Sequence, residues 1–164
     1  VSQDPVIFDD TIANNISMWQ SKKSKEELYQ NIKNAAKQAN ILDFIESLPD
    51  GFDTIVGDRG ILLSGGQKQR IFIARELFRK PNLLILDEAT SALDSESEKS
   101  IQESVDLLRG NITVIIIAHR LSTIKSVDSI YLMDNGKIVE SGSYNELRNN
   151  ENSKFSEFAK LQVL

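Results

Sequence analysis

The chain has 164 residues, of which 40% are hydrophobic and 26% are charged, the composition of an ordinary globular domain. Its formal net charge of -5 disfavours nonspecific binding to nucleic acid or anionic lipid. The sequence has no cysteine, which excludes disulfides, thiolate metal sites and a Cys nucleophile, and His119 is its only imidazole. The longest apolar run, at 112–118 and interrupted by Thr113, is shorter than the roughly 18 residues that a membrane span needs.

The first half of the sequence predicts a small helical unit. Ser24 and Glu27 have the spacing of a capping box, in which two side chains satisfy amides of a helix's first turn. Apolar residues then recur at helical spacing until Asn40. A short helix is predicted over 42–48, and the Pro-Asp-Gly sequence at 49–51 predicts a turn after it.

A third helix is predicted from about residue 66 to residue 79. The helical spacing of Ile71, Ala74 and Phe78 predicts that these side chains are buried on one face. Pro81 is expected to end the helix. Its basic residues are interpreted as a solvated helix face. They are Lys68, Arg70, Arg75, Arg79 and Lys80.

The second half predicts a strand, a helix and a parallel strand. The apolar runs at 83–86 and 112–117 favour strands, the first of them buried on both faces. Between them, Ser95 and Glu98 form a second capping box, and Gly110 ends the helix. Strand, helix and strand of this length form a βαβ unit.

A hairpin and two short helices complete the predicted order of elements. The segments 130–133 and 137–139 flank an Asp-Asn-Gly turn, which is typical of a β-hairpin. Helices are predicted around 144–148 and 155–161. The fold class is therefore α/β with an inserted helical part.

Polar residues follow both predicted parallel strands. Asp87 and Glu88 follow the first strand, and His119 and Arg120 follow the second. Ligands of open α/β sheets bind at the carboxyl ends of the strands. If these strands are neighbours, the carboxylates and the imidazole can hold a divalent cation, a water and a phosphate. The alternatives are a solvated start of a loop for the acidic pair and a structural role for the histidine.

A third candidate site is the start of the helix at Ser64, Gly65 and Gly66. Unpaired amides, the helix dipole and a hydroxyl form an anion site there. The alternative is a serine N-cap beside flexible glycines, which needs no ligand.

Four motifs in this order resemble the nucleotide-binding domain of exporter-type ABC transporters. They are Leu-Ser-Gly-Gly-Gln at 63–67, Leu-Leu-Ile-Leu-Asp-Glu at 83–88, Ser-Ala-Leu-Asp at 91–94 and Ala-His-Arg at 118–120. The first residues resemble the glutamine loop, and 54–60 resemble the loop before the signature. The resemblance implies an incomplete P-loop NTPase (RecA-like) parallel-sheet core over 81–164, with an inserted α-helical subdomain over 9–80.

The resemblance also implies a role for each residue at the sheet edge. Asp87 would hold Mg²⁺, and Glu88 would orient or deprotonate the attacking water. His119 would contact the γ-phosphate of ATP. Gln3 would reach the metal or the water and link this site to the transmembrane domains.

The remaining roles concern a second nucleotide-binding domain, which would pair head to tail with this one. The signature residues Ser64, Gly65, Gly66 and Gln67 would bind the nucleotide held by that partner, and Asp94 would touch the partner across the same interface. The resemblance implies ATP-driven export at the cytoplasmic face of the cell's inner membrane, with no nucleic acid as a partner. It leaves lipid, peptide and drug open as substrates, because the transmembrane domains set specificity.

The 164 residues contain no Gly-x-x-x-x-Gly-Lys-[Ser/Thr] loop for the nucleotide phosphates. The sequence therefore resembles the C-terminal part of a nucleotide-binding domain, from the glutamine loop onward. We expect the isolated chain to be soluble, to bind ATP weakly and not to hydrolyse it. We also expect it to expose sheet edges and apolar faces, which favour self-association.

Two other functions are compatible with parts of the sequence. A soluble ABC-type ATPase of DNA repair or chromosome organisation shares the signature and the acidic pair. Such ATPases with long arms need extended heptads, whereas the segment between Gln3 and Ser64 contains Pro49, Gly51 and Gly57 and no sustained heptad. The second alternative is a noncatalytic regulatory or interaction fragment, which the reading frame upstream of Val1 would distinguish.

Overall fold

A computed structural model describes residues 6–20, 24–58, 61–88 and 95–161, with the backbone alone at 95–97. The chain divides into two compact units, Val1–Ile117 and Ala118–Leu164. Each unit has its own apolar core. In the described ranges, no helix combines the length and the apolar character that crossing a membrane would require.

The helices of the first unit follow the sequence pattern closely. Their bounds are α1 Ile12–Ser17, α2 Lys25–Gln38, α3 Leu42–Ser47, α4 Gly65–Phe78 and α5 Ser95–Leu108. At the start of α2, the Ser24 hydroxyl accepts a hydrogen bond from the Glu27 amide at 3.2 Å, which is one of the two hydrogen bonds of the predicted capping box. The side chain of Ser95, in the second predicted capping box, lies outside the described residues.

Helix α1 was missing from the sequence prediction. It begins at Thr11, whose hydroxyl accepts a hydrogen bond from the Asn14 amide at 3.1 Å. It buries Ile12 and Ile16, one helical turn apart. A threonine N-cap followed by this spacing was the available signal. The helix has only six residues, so its stability depends on packing against α4 and α2.

Strands β3 (Leu83–Asp87) and β4 (Thr113–Ile117) pair in parallel, which confirms the predicted βαβ unit. The prediction that the first strand is buried on both faces was wrong. Leu84 and Leu86 are buried, but Leu83 and Ile85 remain 48% and 45% exposed. The described helices cover one face of this two-stranded sheet, and the other face carries exposed isoleucines of β4 as well.

A second, smaller sheet joins distant parts of the first unit. Strand β1 (Asp10–Thr11) pairs antiparallel with β2 (Ile55–Val56), which follows a 3₁₀ turn at Gly51–Asp53. Gly57 follows β2 with a φ of 102°, and a Cβ there would lie 3.1 Å from the Asp9 Cα and would overlap the Asp9 Oδ1. Only glycine therefore allows this close approach of the two segments.

The second unit is built on the predicted hairpin. Strands β5 (Ile130–Asp134) and β6 (Lys137–Gly142) pair antiparallel. Asn135 and Gly136 both have positive φ at the turn, as a tight two-residue hairpin requires. The helices are α6 Leu121–Ile124, α7 Tyr144–Asn149 and α8 Lys154–Leu161.

The carboxylate of Glu140, in β6, accepts the hydrogen bonds at the start of α8. Glu140 accepts hydrogen bonds from the Ser153 hydroxyl at 2.6 Å, the Lys154 amide at 2.7 Å and the Phe155 amide at 3.2 Å. These hydrogen bonds, the one from Ser153 foremost, lower the pKa of Glu140 below the ordinary glutamate value. The ionised side chain thus attaches the start of α8 to the hairpin.

We predict that Glu140 stabilises the second unit in a pH-dependent way. Because its pKa is lowered in the folded state, its contribution is present above the ordinary glutamate pKa and is lost as the pH falls through the folded-state pKa. Glu140→Gln should lower the urea midpoint at about pH 7, and the difference from the parent should shrink towards about pH 3. Glu151→Gln, at an exposed turn residue, is the control; a pH-independent effect of Glu140→Gln would contradict the prediction.

We also predict that the isolated 164-residue chain self-associates through the open face of the β3–β4 sheet. Ile85 and Ile115 are register partners on this face, and both are nearly half exposed. Sedimentation at several concentrations should show association in the parent and a monomer after the double change Ile85→Thr and Ile115→Thr. Ile138→Thr, at an exposed hairpin residue, should leave association unchanged. A strictly monomeric parent would refute the prediction.

Candidate functional site

The predicted carboxylate pair lies at the carboxyl end of the parallel sheet. Asp87 is the last residue of β3 and the register partner of Ile117, the last residue of β4. The Glu88 amide donates a hydrogen bond to the Ile117 carbonyl at 3.0 Å. The two strands therefore end at the same edge, as the sequence predicted, and the hydrogen bond holds the first loop residue against the second strand.

Glu88 adopts a backbone conformation that the sequence did not reveal. Its φ is 47°, in the left-handed region that non-glycine residues occupy only at a cost of about 1–2 kcal/mol. The hydrogen bond to Ile117 holds the amide of this strained residue. Strain of this kind is concentrated at functional sites, because surrounding structure must maintain it. Six non-glycine residues of the described chain have positive φ, so this conformation shows local strain beside Asp87 and does not by itself assign a function to Glu88.

The side chain of Asp87 is chemically suited to a hard cation. It is exposed, and no hydrogen bond or ion pair of its carboxylate occurs within the described part of the chain. No group of three His, Cys, Asp or Glu side chains suitable for a metal occurs there either. Mg²⁺ commonly takes one or two carboxylates and completes its coordination with waters and substrate phosphates. A single available aspartate at the sheet edge fits that mode of binding.

His119 lies in the second unit, two residues after β4 ends in sequence. Its side chain is exposed. Its proximity to Asp87 and Glu88 remains a prediction. Gln3 and Asp94, two further predicted site residues, lie outside the described residues, as does the rest of the motif at 91–94.

The signature segment forms a complete capping box at the start of α4. The Ser64 hydroxyl accepts a hydrogen bond from the Gln67 amide at 3.2 Å, and the Gln67 side-chain oxygen accepts one from the Ser64 amide at 2.8 Å. Ser64 is therefore the N-cap of α4, which was one of the two interpretations of this segment from the sequence. Helix geometry leaves the amides of Gly65 and Gly66 without a partner inside the helix, because the first bonded amides are those of Gln67 and Lys68.

The capping box therefore does not exclude an anion site, because it leaves the amides of Gly65 and Gly66 without a partner inside the helix. Ser64 and Gly65 are exposed, whereas Gly66 is buried. Gln67 has a function that sequence reasoning missed, because its side chain fixes the conformation of the loop from within. The motif spacing, glutamine three residues after serine, was the signal for this capping box.

The interpretation of the basic residues of α4 as a solvated face was wrong for Arg75. Arg75 is 3% exposed, although Lys68, Arg79 and Lys80 are exposed as predicted. The physical reason is helical spacing, since Arg75 lies one turn after the fully buried Ile71. The pattern that buried Ile71 thus also indicated that Arg75 points towards the core.

Arg75 is held by neutral partners. Its Nε donates to the Asn15 carbonyl at 2.7 Å, and its Nη2 donates to Asn15 Oδ1 at 3.2 Å. Its guanidinium carbon lies 5.2 Å from the ring centroid of Phe8 and 5.0 Å from that of Phe72. Burial lowers the pKa of Arg75, but an arginine remains charged at any ordinary pH.

The comparisons with known proteins give the class of this molecule. The profile of the ABC transporter family matches residues 1–91, more than half of the chain. The chain therefore belongs to the ABC transporter family. The predicted fold class, an ABC-type α/β P-loop NTPase core, is confirmed by a solved structure described as a bacterial Atm1-family ABC exporter with ATP bound. That structure superposes with a TM-score of 0.82 and 42% identity, over 99% of this chain and 27% of its own.

Two curated relatives are transporters. The chain is similar to an ATP-dependent lipid A-core flippase of Idiomarina loihiensis, with 53% identity over 94% of the chain and 26% of the relative. It is similar to the ABC multidrug transporter mdr1 of Aspergillus fumigatus, with 51% identity over the whole chain and 12% of the relative.

A third relative is the mitochondrial potassium channel ATP-binding subunit of Mus musculus, with 49% identity over the whole chain and 22% of the relative. The chain thus spans about a quarter or less of each of these proteins. The alternative of a DNA-repair ATPase is not favoured by these relatives.

The strain at Glu88 gives a testable prediction. Glycine adopts a φ of 47° freely and alanine does not, so Glu88→Gly should be more stable than Glu88→Ala by about 1 kcal/mol. Both variants lack the carboxylate, so their difference isolates the backbone conformation. Urea unfolding of the 164-residue chain measures it. Equal stability of the two variants would contradict a left-handed Glu88.

Proposed function

We propose that this chain is part of an ATP-hydrolysing nucleotide-binding domain that powers export by an ABC transporter. The observation that carries the proposal is the sheet edge. Asp87 and a backbone-strained Glu88 follow β3, and the end of β4 lies beside them in register. Membership of the ABC transporter family supports the same activity.

Within this proposal, the two carboxylates have different tasks. Asp87 would hold Mg²⁺, which when bound neutralises charge on the nucleotide phosphates. Glu88 would orient or deprotonate the attacking water. A carboxylate beside the metal ligand, rather than bound to the metal, keeps its lone pairs for that proton. The hydrogen bond between the Glu88 amide and Ile117 would preserve its position during turnover.

The signature segment would serve a nucleotide held by a second domain in a head-to-tail pair. The amides of Gly65 and Gly66 and the positive end of the α4 dipole would face the γ-phosphate, with Ser64 adding its hydroxyl. Gln67 would hold this arrangement through its bond to the Ser64 amide. The site would thus be completed by residues of two domains.

The remaining roles are proposed from the family motifs. His119 would contact the γ-phosphate, Gln3 would reach the metal or the water and link it to the transmembrane domains, and Asp94 would touch the partner domain. The assembled transporter would place this domain at the cytoplasmic face of the inner membrane. The transmembrane domains would select the exported substrate.

We predict that the isolated chain does not hydrolyse Mg-ATP, because its 164 residues contain no phosphate loop. The complete transporter should hydrolyse it, and Glu88→Gln should slow hydrolysis by at least about 100-fold, the usual effect of losing a general base. Release of inorganic phosphate measures both.

Glu157→Gln, at an exposed residue of α8, is the matched control and should hydrolyse ATP at the parent rate. Hydrolysis by the isolated chain that Glu88→Gln abolishes would contradict the prediction for the fragment. A complete transporter that does not hydrolyse ATP would favour the noncatalytic alternative.

A further inference from the structure

Arg75, Asn15 and Phe8 form a buried cluster that we call the Arg75 clamp. Arg75 belongs to α4, Asn15 to α1, and Phe8 to the segment before β1. The two hydrogen bonds of the guanidinium both end on Asn15, which is fully buried. The clamp therefore joins α4 to Asn15 and Phe8, which lie 60 or more residues before Arg75 and seven residues from each other.

Asn15 uses both ends of its amide in this cluster. Its Oδ1 accepts hydrogen bonds from the Phe8 amide at 2.8 Å and from Arg75 Nη2 at 3.2 Å. Its Nδ2 donates to the Phe8 carbonyl and to the Thr11 carbonyl, both at 3.0 Å. The side chain thus binds the 8–11 segment to α1, while Arg75 binds Asn15 to α4.

The clamp has two properties that make it stiff. A buried cation is costly unless its donors are satisfied, so Arg75 cannot leave Asn15 without losing its compensation. The rings of Phe8 and Phe72 both lie close enough to the guanidinium to attract this cation. A movement of the 8–11 segment must therefore either carry α4 with it or break several contacts at once.

The clamp lies between the signature helix α4 and the segment that begins at Phe8. Arg75 lies eleven residues after Ser64 on the same helix, about 16 Å at about 1.5 Å per residue. Phe8 lies five residues after Gln3 in sequence. The clamp thus connects the helix that begins with the signature segment to the segment that follows the proposed glutamine loop.

We propose that Arg75 is a positioning residue that transmits nucleotide contact at the signature segment to residues 8–17. The inference rests on the proposed function, because it requires ATP to act on residues 64–66. Arg75 touches neither nucleotide nor metal in this proposal. It makes α4 and the 8–17 segment respond together, and loss of the clamp would allow each to respond separately.

The experiment is hydrogen exchange of the complete transporter that carries this domain, with Glu88→Gln to retain bound Mg-ATP. In this parent, ATP should slow exchange at 63–67 and also at 8–17, the latter by at least about five-fold, the lower range of allosteric coupling. Adding Arg75→Lys keeps the positive charge but removes the forked donors. The ATP-dependent slowing should then persist at 63–67 and fall below about two-fold at 8–17.

Two further variants make the outcome decisive. Arg79→Lys makes the same change at an exposed residue of the same helix end, and it should behave as the parent. Phe8→Leu removes one aromatic face and keeps the backbone bonds to Asn15. It should reduce the slowing at 8–17 by an intermediate factor, and it replaces Arg75→Lys if that variant does not fold.

The possible failures are distinguishable. Parent-like slowing at 8–17 in both Arg75→Lys and Phe8→Leu would overturn the clamp. Simultaneous loss at 63–67 and 8–17 would also overturn it, because Arg75 would then only support the fold. Absence of any ATP effect at 63–67 in the parent would instead refute the proposed function.

Discussion

The hydrogen bonds between Arg75 and Asn15 are the buried polar contacts that join α4 to α1 inside the apolar core of the first unit. A buried guanidinium needs its donors satisfied, and Asn15 satisfies two of them while also fixing Phe8 and Thr11. Helix α1 is too short to persist alone, so this network and the burial of its apolar residues hold it against α4. Helix α4 also packs against α2 and buries Ile71, Ile73 and Ala74, so this apolar packing and the Arg75 contacts position it together.

The pairing of β3 with β4 provides the second constraint, because it determines where the chemistry is located. In-register parallel strands end at one edge, and that edge presents Asp87 and the strained Glu88. The hydrogen bond from the Glu88 amide to the Ile117 carbonyl holds the backbone of this strained residue against the end of β4. The first unit thus combines a sheet edge that bears two carboxylates with a helix whose first two amides have no partner inside the helix.

The apolar surfaces explain why the chain divides as it does. The helices of the first unit cover one face of the β3–β4 sheet, and the opposite face is exposed. The second unit buries a separate cluster around Tyr144 and Phe155, with Glu140 joining α8 to the hairpin. Each unit therefore has its own buried core, and the open face of the β3–β4 sheet leaves Leu83, Ile85 and Ile115 exposed in the first unit.

The sequence by itself determined helices α2 to α5, α7 and α8, strands β3 to β6 with their parallel pair, the serine N-caps of α2 and α4, and the residue types of the carboxylate edge. Local patterns suffice for these, because caps and periodicity depend on neighbours within a few residues. It did not reveal α1, α6 or the β1–β2 pair. Only the tertiary structure decided that Arg75 pairs with Asn15, that Ile85 is exposed and that Glu88 is left-handed. Each of these depends on a partner far along the chain, Asn15 for Arg75, the covering helices for Ile85 and Ile117 for Glu88, and such partners leave no local pattern in the sequence.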